Sequence, residues 1–409
     1  MSRQDEGDEK GTAGEDESGS RKDGGGWAGD VAERVRAVPP SGIRRFFELA
    51  EEQEDVISLG VGEPDFAAPW SAREAGIQSL ETGRTSYTAN RGKRELREEI
   101  SRDAGRFGLE YSPDDEVLVT TGVSEGVDLA FRALFDPDDT VAVVQPTYVS
   151  YAPGVTFAGA EPLPVPTHAE DEFKLTYERL REAGAEEADG LIYCYPNNPT
   201  GAIMTREELE GVAEFCREND LTVLSDEVYA DLTYDGDHAS IATLEGMRER
   251  TVVFNGFSKA YAMTGVRLGY ALGPSEAVGA MNRIHQYTML SAPTTAQYMA
   301  IDALRRCRDD VEEMRRAYNR RRNLVLSRLD GIGMDCFEAK GAFYVFPEVP
   351  GGNDNGFAEG LLEQEEVAAV PGSVFGEGGE GHLRMSYATG TDELKEAMDR
   401  IEAFVEKNY

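Results

Sequence analysis

The sequence predicts an α/β protein: a three-layer unit with helices on both faces of a mostly parallel sheet, followed by a smaller α+β unit. Two observations carry this. Short apolar, β-branched runs alternate with amphipathic stretches of about ten to fifteen residues, the pattern of a mostly parallel sheet. From about Ala300 a long charged helical stretch hands over to a region with its own strand-like runs. No period of about 20–50 residues repeats, so a solenoid is excluded.

In chain order, Met1 to about Asp30 is rich in Asp, Glu, Gly and Ser and reads as a solvated, disordered tail with no secretory h-region. Ala32–Val38 and Ile43–Glu52 carry apolar residues at i, i+3 and i+4, with Ser41 as a cap, and are predicted as helices. Val117–Thr120 is predicted as a strand, Glu125–Leu134 a helix, Thr140–Val144 and Gly190–Tyr195 strands, Arg206–Asn219 a helix, and Leu221–Leu224 and Thr251–Phe254 strands. A helix is predicted from about Ala300 to about Leu329. Ala342–Phe346 and Leu383–Tyr387 are predicted as strands of the smaller unit, with Pro350–Phe357 a loop between them.

Composition narrows the function classes. Against 41 basic residues stand 77 acidic ones, for a formal charge of −36, so anionic partners such as nucleic acid or an acidic membrane are excluded. Eight of the cations are lysine. A dense acidic surface poor in lysine is the composition of a halophilic protein, whose self-repulsion molar salt screens over about 3 Å; unfolding midpoints in dilute buffer and in molar KCl test this. No apolar run approaches the roughly 20 residues of a membrane span. Cys194, Cys216, Cys307 and Cys336 lack CxxC or Cys/His metal spacing and read as reduced thiols of a cytoplasmic protein.

Ligands of open α/β sheets sit beyond the carboxyl ends of the strands, and the residues there form one set. Strand Thr251–Phe254 runs into Asn-Gly-Phe-Ser-Lys, placing Lys259 where a buried neutral amine condenses with an aldehyde. Ser258 and Arg267 flank it within reach of one phosphate, for which the guanidinium fork is suited. Asp226 and Tyr229 follow Leu221–Leu224. A carboxylate and a phenol there hold a pyridinium N–H and a ring oxygen, although a strand-end Asp also serves as a helix cap. Asn198, in the turn Pro196–Gly201, offers an amide to that oxygen and to a carboxylate. Val123 and Ser124 open a helix after Thr121-Gly122, an anion site of backbone N–H groups. Tyr148, after Thr140–Val144, is placed to lie against an aromatic ring.

Asn198, Asp226, Tyr229, Ser258, Lys259 and Arg267 fall within a set of five segments: Leu59-Gly60-Val61-Gly62-Glu63-Pro64-Asp65-Phe66, Asn198-Pro199-Thr200-Gly201, Ser225-Asp226-Glu227-Val228-Tyr229, Ser258–Gly269 and Arg384-Met385-Ser386-Tyr387. Five motifs in this order resemble the class I/II aminotransferases, fold-type-I pyridoxal-phosphate enzymes with a mixed, mostly parallel sheet, and are most similar to the prokaryotic aspartate aminotransferase branch. The resemblance covers about residues 31–409. It implies an N-terminal segment (31–65) packing with the small domain, a large pyridoxal 5'-phosphate domain (66–304) and a C-terminal small domain (305–409).

Residue by residue, the resemblance implies Lys259 as Schiff-base lysine and proton shuttle, Asp226 on the pyridine nitrogen, and Asn198 and Tyr229 on the ring oxygen. The phosphate is implied on Val123, Ser124, Ser258 and Arg267, and on Tyr87 reaching across from a second subunit of a homodimer. Tyr148 takes the stacking position, where some members have Trp. Arg384 is implied as clamp of the substrate α-carboxylate, helped by Asn198 and the Gly62 backbone. Ser124 stands where one relative has lysine, so the resemblance does not extend to a cation for a second carboxylate. The implied reaction is ping-pong transfer of an amino group between an L-amino acid and a 2-oxo acid. A β-lyase or related carbanion enzyme would use the same residues. A non-catalytic cofactor-binding regulator would need a basic DNA-binding module, whereas this N-terminus is acidic.

Overall fold

The computed structural model describes residues 30–40, 42–43 and 55–409. The acidic tail up to residue 29, the Ser41 cap and all but Ile43 of the helix predicted over Ile43–Glu52 lie outside the described residues.

Among the described residues the strands are β1 (Ile57–Ser58), β2 (Val117–Thr120), β3 (Thr140–Gln145), β4 (Glu161–Pro166), β5 (Gly190–Cys194), β6 (Thr222–Asp226), β7 (Thr251–Gly256), β8 (Gly269–Leu272), β9 (Tyr344–Val345), β10 (Val367–Ala368), β11 (Val370–Pro371) and β12 (Leu383–Ser386). Seven of them form one sheet in the order β2-β8-β7-β6-β5-β3-β4. Every neighbouring pair is parallel except those of β8, which runs against both β2 and β7. The sheet is thus mixed and mostly parallel, as predicted. Three prolines, at 162, 164 and 166, fall in β4, an edge strand, where the lost N–H donors leave no ladder broken.

Alternate residues along the central strands enter two separate cores, the mark of a sheet covered on both faces. Val141, Val143, Ile192 and Leu224 pack with Leu129, Phe131 and Val155, from the helices Val123–Leu134 and Tyr151–Ala158. Ala142, Val144, Leu191 and Val223 pack instead with Leu209, Val212 and Phe215 of the helix Arg206–Glu218. That helix opens with a capping box between Thr205 and Glu208, which satisfies two N-terminal donors at once.

The remaining strands make a three-stranded antiparallel sheet, β11-β12-β9, and a parallel pair, β1-β10. The strand predicted over Ala342–Phe346 is only the two residues of β9, and sequence and structure differ more widely in three other places. The helix predicted over Ala32–Val38 shrinks to the single turn Glu33–Arg36, none of whose residues is buried. The stretch predicted as one helix from about Ala300 to about Leu329 is two, Thr294–Arg306 and Arg308–Ile332. They break at Cys307 (φ −105°, ψ 20°), whose buried side chain rather than a Pro or Gly marks the bend. The loop predicted over Pro350–Phe357 holds only to Asn353. The Asn353 side chain accepts the Gly356 N–H, and a helix runs over Asp354–Glu365 with Phe357 and Leu361 buried one turn apart. Turn-forming residues there act as a cap.

No helix among the described residues is long and apolar enough to cross a membrane.

Candidate active site

A cavity of about 1110 Å³ opens beyond the carboxyl ends of the parallel strands. Gly62, Val123, Ser124, Tyr148, Asn198, Asp226, Tyr229, Ser258, Lys259, Arg267 and Arg384 all line it. Residues spread over more than 300 positions of chain therefore converge on one volume. Tyr87 does not: it is 81% exposed and absent from the cavity wall of its own chain.

Asp226 is the last residue of β6 and is buried. Its Oδ1 accepts the Val228 N–H at 3.1 Å, the local cap a strand-end Asp is expected to make. Its Oδ2 accepts the Tyr151 hydroxyl at 2.6 Å. Burial pushes the carboxyl up to about 6, with the Tyr151 and Val228 bonds pulling the other way. Tyr151 is fully enclosed at the start of its helix, and its ring meets that of Tyr148 edge-on at 5.6 Å. Sequence reading missed Tyr151, which opens the helix just after the loop that holds Tyr148 and has no local signal of its contact with Asp226.

Lys259 follows β7. Its Nζ donates to the Gly62 carbonyl at 2.5 Å and lies 5.5 Å from the Phe343 ring centroid. Burial brings its amine down to about 8; nearby Glu63 and Asp226 oppose this, while Arg384 and Arg267 add to it. Tyr229 lies across the site with its hydroxyl 3.0 Å from that of Tyr344, a second residue the sequence reading passed over. At Gly62 a Cβ would come within 2.5 Å of the Tyr344 hydroxyl, so only glycine lets this backbone approach.

Asn197, not Asn198, builds the turn after β5: its Oδ1 accepts both the N–H and the hydroxyl of Thr200. Asn198 is thereby left to the site, where its Oδ1 accepts Arg384 Nη1 at 3.0 Å. Arg384, on β12, is buried between the rings of Tyr344 and Phe375, its guanidinium carbon 4.8 Å from each centroid. Nη2 donates to Gly60 O, and Nε is buried with no partner. Burial works against its charge, and its partners are neutral oxygens. A buried guanidinium so placed has the fork geometry and the unpaired charge that a carboxylate can meet.

At the opposite side, Gly122 (φ 80°) turns the chain from β2 into the helix Val123–Leu134. The first amides of a helix lack intrahelical acceptors and face any anion there. A Cβ at Gly122 would come 2.6 Å from Arg267 Nη2, so the Arg267 guanidinium lies against this turn. Arg267 itself is left-handed (φ 58°), and its Nη1 donates to Thr264 O at 2.9 Å. Val123, Ser124, Ser258 and Arg267 all line the cavity, with the guanidinium against the turn that carries the amides.

Comparison with known proteins agrees with this geometry. The model of the family "Aminotransferase class I and II" matches residues 54–401. An aromatic-amino-acid aminotransferase of Thermococcus litoralis is 43% identical over 91% of this chain and 97% of its own length. An aspartate aminotransferase of Pyrococcus abyssi is also 43% identical, with the same coverage. The structure of the Thermus thermophilus aspartate aminotransferase with maleate superposes with a TM-score of 0.86 at 37% identity, over 92% of this chain and 99% of that one. With the motifs, the fold and the cavity all in agreement, this chain belongs to the class I and II aminotransferases.

Proposed function

We propose that the cavity binds pyridoxal 5'-phosphate and transfers an amino group from an L-amino acid with an uncharged side chain to a 2-oxo acid. The observation that carries this is the pairing, in one cavity, of an amine brought down to about 8 with a buried guanidinium bonded only to neutral oxygens. The residues fit the cofactor: an acid beneath the site, a hydroxyl pair at Tyr229 and Tyr344, and an anion cradle opposite. When bound, this cofactor supplies an aldehyde that condenses with amines and a protonated ring that accepts the electron pair left at Cα.

The chain's own residues do the rest. Arg384 clamps the α-carboxylate and so orients the Cα–H bond, with Asn198 holding the guanidinium in place. Lys259 Nζ would take the proton from Cα and deliver it to the former aldehyde carbon, two bonds away across the nitrogen, as a positioned base of suitable strength. Asp226, held by Tyr151, would keep a positive charge on the ring nitrogen. Val123, Ser124, Ser258 and Arg267 would hold the phosphate, and Tyr148 would lie against the ring. We assign Tyr87 to the phosphate of a partner subunit; its exposure, with that of Tyr287 (85%), Trp70, Ile77 and Leu80, is the apolar surface a homodimer would cover.

Side-chain specificity follows from the remaining wall. Among the described residues its cations are Lys259, Arg267 and Arg384, each already engaged, while Val38, Pro39, Ile43, Val61 and Phe157 are apolar. Amino donors offered with 2-oxoglutarate and with pyruvate test this. Aromatic or aliphatic donors are expected to exceed aspartate at least about tenfold in kcat/KM; aspartate as the best donor overturns the specificity. Release of ammonia and pyruvate without amino transfer would favour a β-lyase, which no feature of the cavity now does.

A further inference from the structure

His285 is fully buried in the helix Ser275–Thr288 and lines no part of the cavity. Its Nδ1 lies 2.6 Å from Glu125 Oε1, so it donates to that carboxylate, and its Nε2 is buried with no partner. The other oxygen, Glu125 Oε2, accepts the Thr121 N–H. Thr120 Oγ1 in turn donates to Gly122 O at 2.9 Å. Glu125 is thus bound on both oxygens, and the turn that precedes Val123 and Ser124 is fixed from below.

The location makes this more than an internal contact. Glu125 lies in the first turn of the helix Val123–Leu134. A carboxylate there is drawn to the same dipole and the same first-turn amides that bind an anion. Free to turn, it would cap its own helix and repel an incoming phosphate. We propose that His285 is a positioning residue for the anion site: it ties back the Glu125 carboxylate, which otherwise competes with phosphate for the Val123 and Ser124 amides. This rests on the reading of those amides as the phosphate site.

The proposal predicts a sign that loss of packing does not. In full-length cofactor-free protein, the dissociation constant of inorganic phosphate is measured by calorimetry, and phosphate protection of the 121–124 amides by hydrogen exchange. His285→Leu is expected to weaken phosphate at least about tenfold. Adding Glu125→Gln to it should restore most of that loss, because Gln keeps an acceptor for the Thr121 N–H and lacks the competing charge. Glu125→Gln alone, which tests the idea even if His285→Leu does not fold, should bind phosphate at least as tightly as wild type. Retention of pyridoxal phosphate on dialysis should follow the same order. Equal affinities in wild type and His285→Leu, a double variant no better than His285→Leu, or a tenfold loss in Glu125→Gln alone would each overturn the proposal. Wild-type protein in which phosphate protects none of these amides would instead overturn the anion site itself.

Discussion

The Tyr151 hydroxyl donates a 2.6 Å hydrogen bond to Asp226 Oδ2, joining the start of one helix to the end of β6 across 75 residues of chain. This bond favours the charged carboxylate against the burial that raises it to about 6. Tyr151→Phe should therefore push the carboxyl higher still. The acid limb of the kcat/KM profile should move to higher pH, with a loss of about tenfold at pH 7 that narrows toward pH 9. An unmoved limb would make Tyr151 a packing residue alone.

The same carboxyl affects stability in the cofactor-free protein. Its folded value lies above the ordinary 3.8, so the folded state holds the proton better than the unfolded chain. The stabilising contribution is then full below about pH 4 and is lost as pH rises through about 6. Urea midpoints over this range should fall less steeply for Asp226→Asn than for wild type.

Lys259 titrates in the opposite sense: its folded value, about 8, lies below the ordinary 10.5. Its contribution is full above about 10.5 and is lost as pH falls through about 8. Acetylation of Lys259 in cofactor-free protein, followed by peptide mass analysis, should show a midpoint near 8. Lys259→Ala should lower turnover by more than about four orders of magnitude while phosphate binding persists. Turnover at the wild-type rate would remove Lys259 from the mechanism.

Arg384 is a buried cation bonded to neutral oxygens. Arg384→Gln should raise KM for amino acids and lower kcat/KM about a hundredfold or more, with cofactor content unchanged. Amines without a carboxylate should lose nothing. Because the unpaired buried charge is itself costly, the variant's unfolding midpoint should match or exceed that of wild type.

If Tyr87 serves a neighbouring site, Tyr87→Phe chains mixed with Lys259→Ala chains should form heterodimers with one intact site. Activity should return in the mixture, near the wild-type rate per intact site, when subunits exchange in high salt that screens the acidic chains. A fully active monomer in sedimentation would end the shared-site assignment.

The strand signals at Val117–Thr120, Thr140–Val144, Gly190–Tyr195 and Thr251–Phe254 were legible locally, because strands buried on both faces read as continuous apolar runs. The strand-end rule then located Asp226, Asn198 and Lys259, since the chemistry of a parallel sheet lies beyond its carboxyl edge. Arg384 and Tyr87 came from resemblance instead, as neither has a local signal of its role.

What the sequence by itself determined was the alternation of elements, and with it the sheet and the edge where reactive residues collect. Only the tertiary structure decided how those residues are held. Tyr151 under Asp226, Tyr344 against Tyr229 and His285 behind Glu125 pair positions 75, 115 and 160 residues apart. The break at Cys307, with its side chain buried, likewise has no Pro or Gly to signal it in the sequence. Periodicity reports which face of an element is apolar; hydrogen-bond partners across the core depend on how the elements dock, and only packing specifies that.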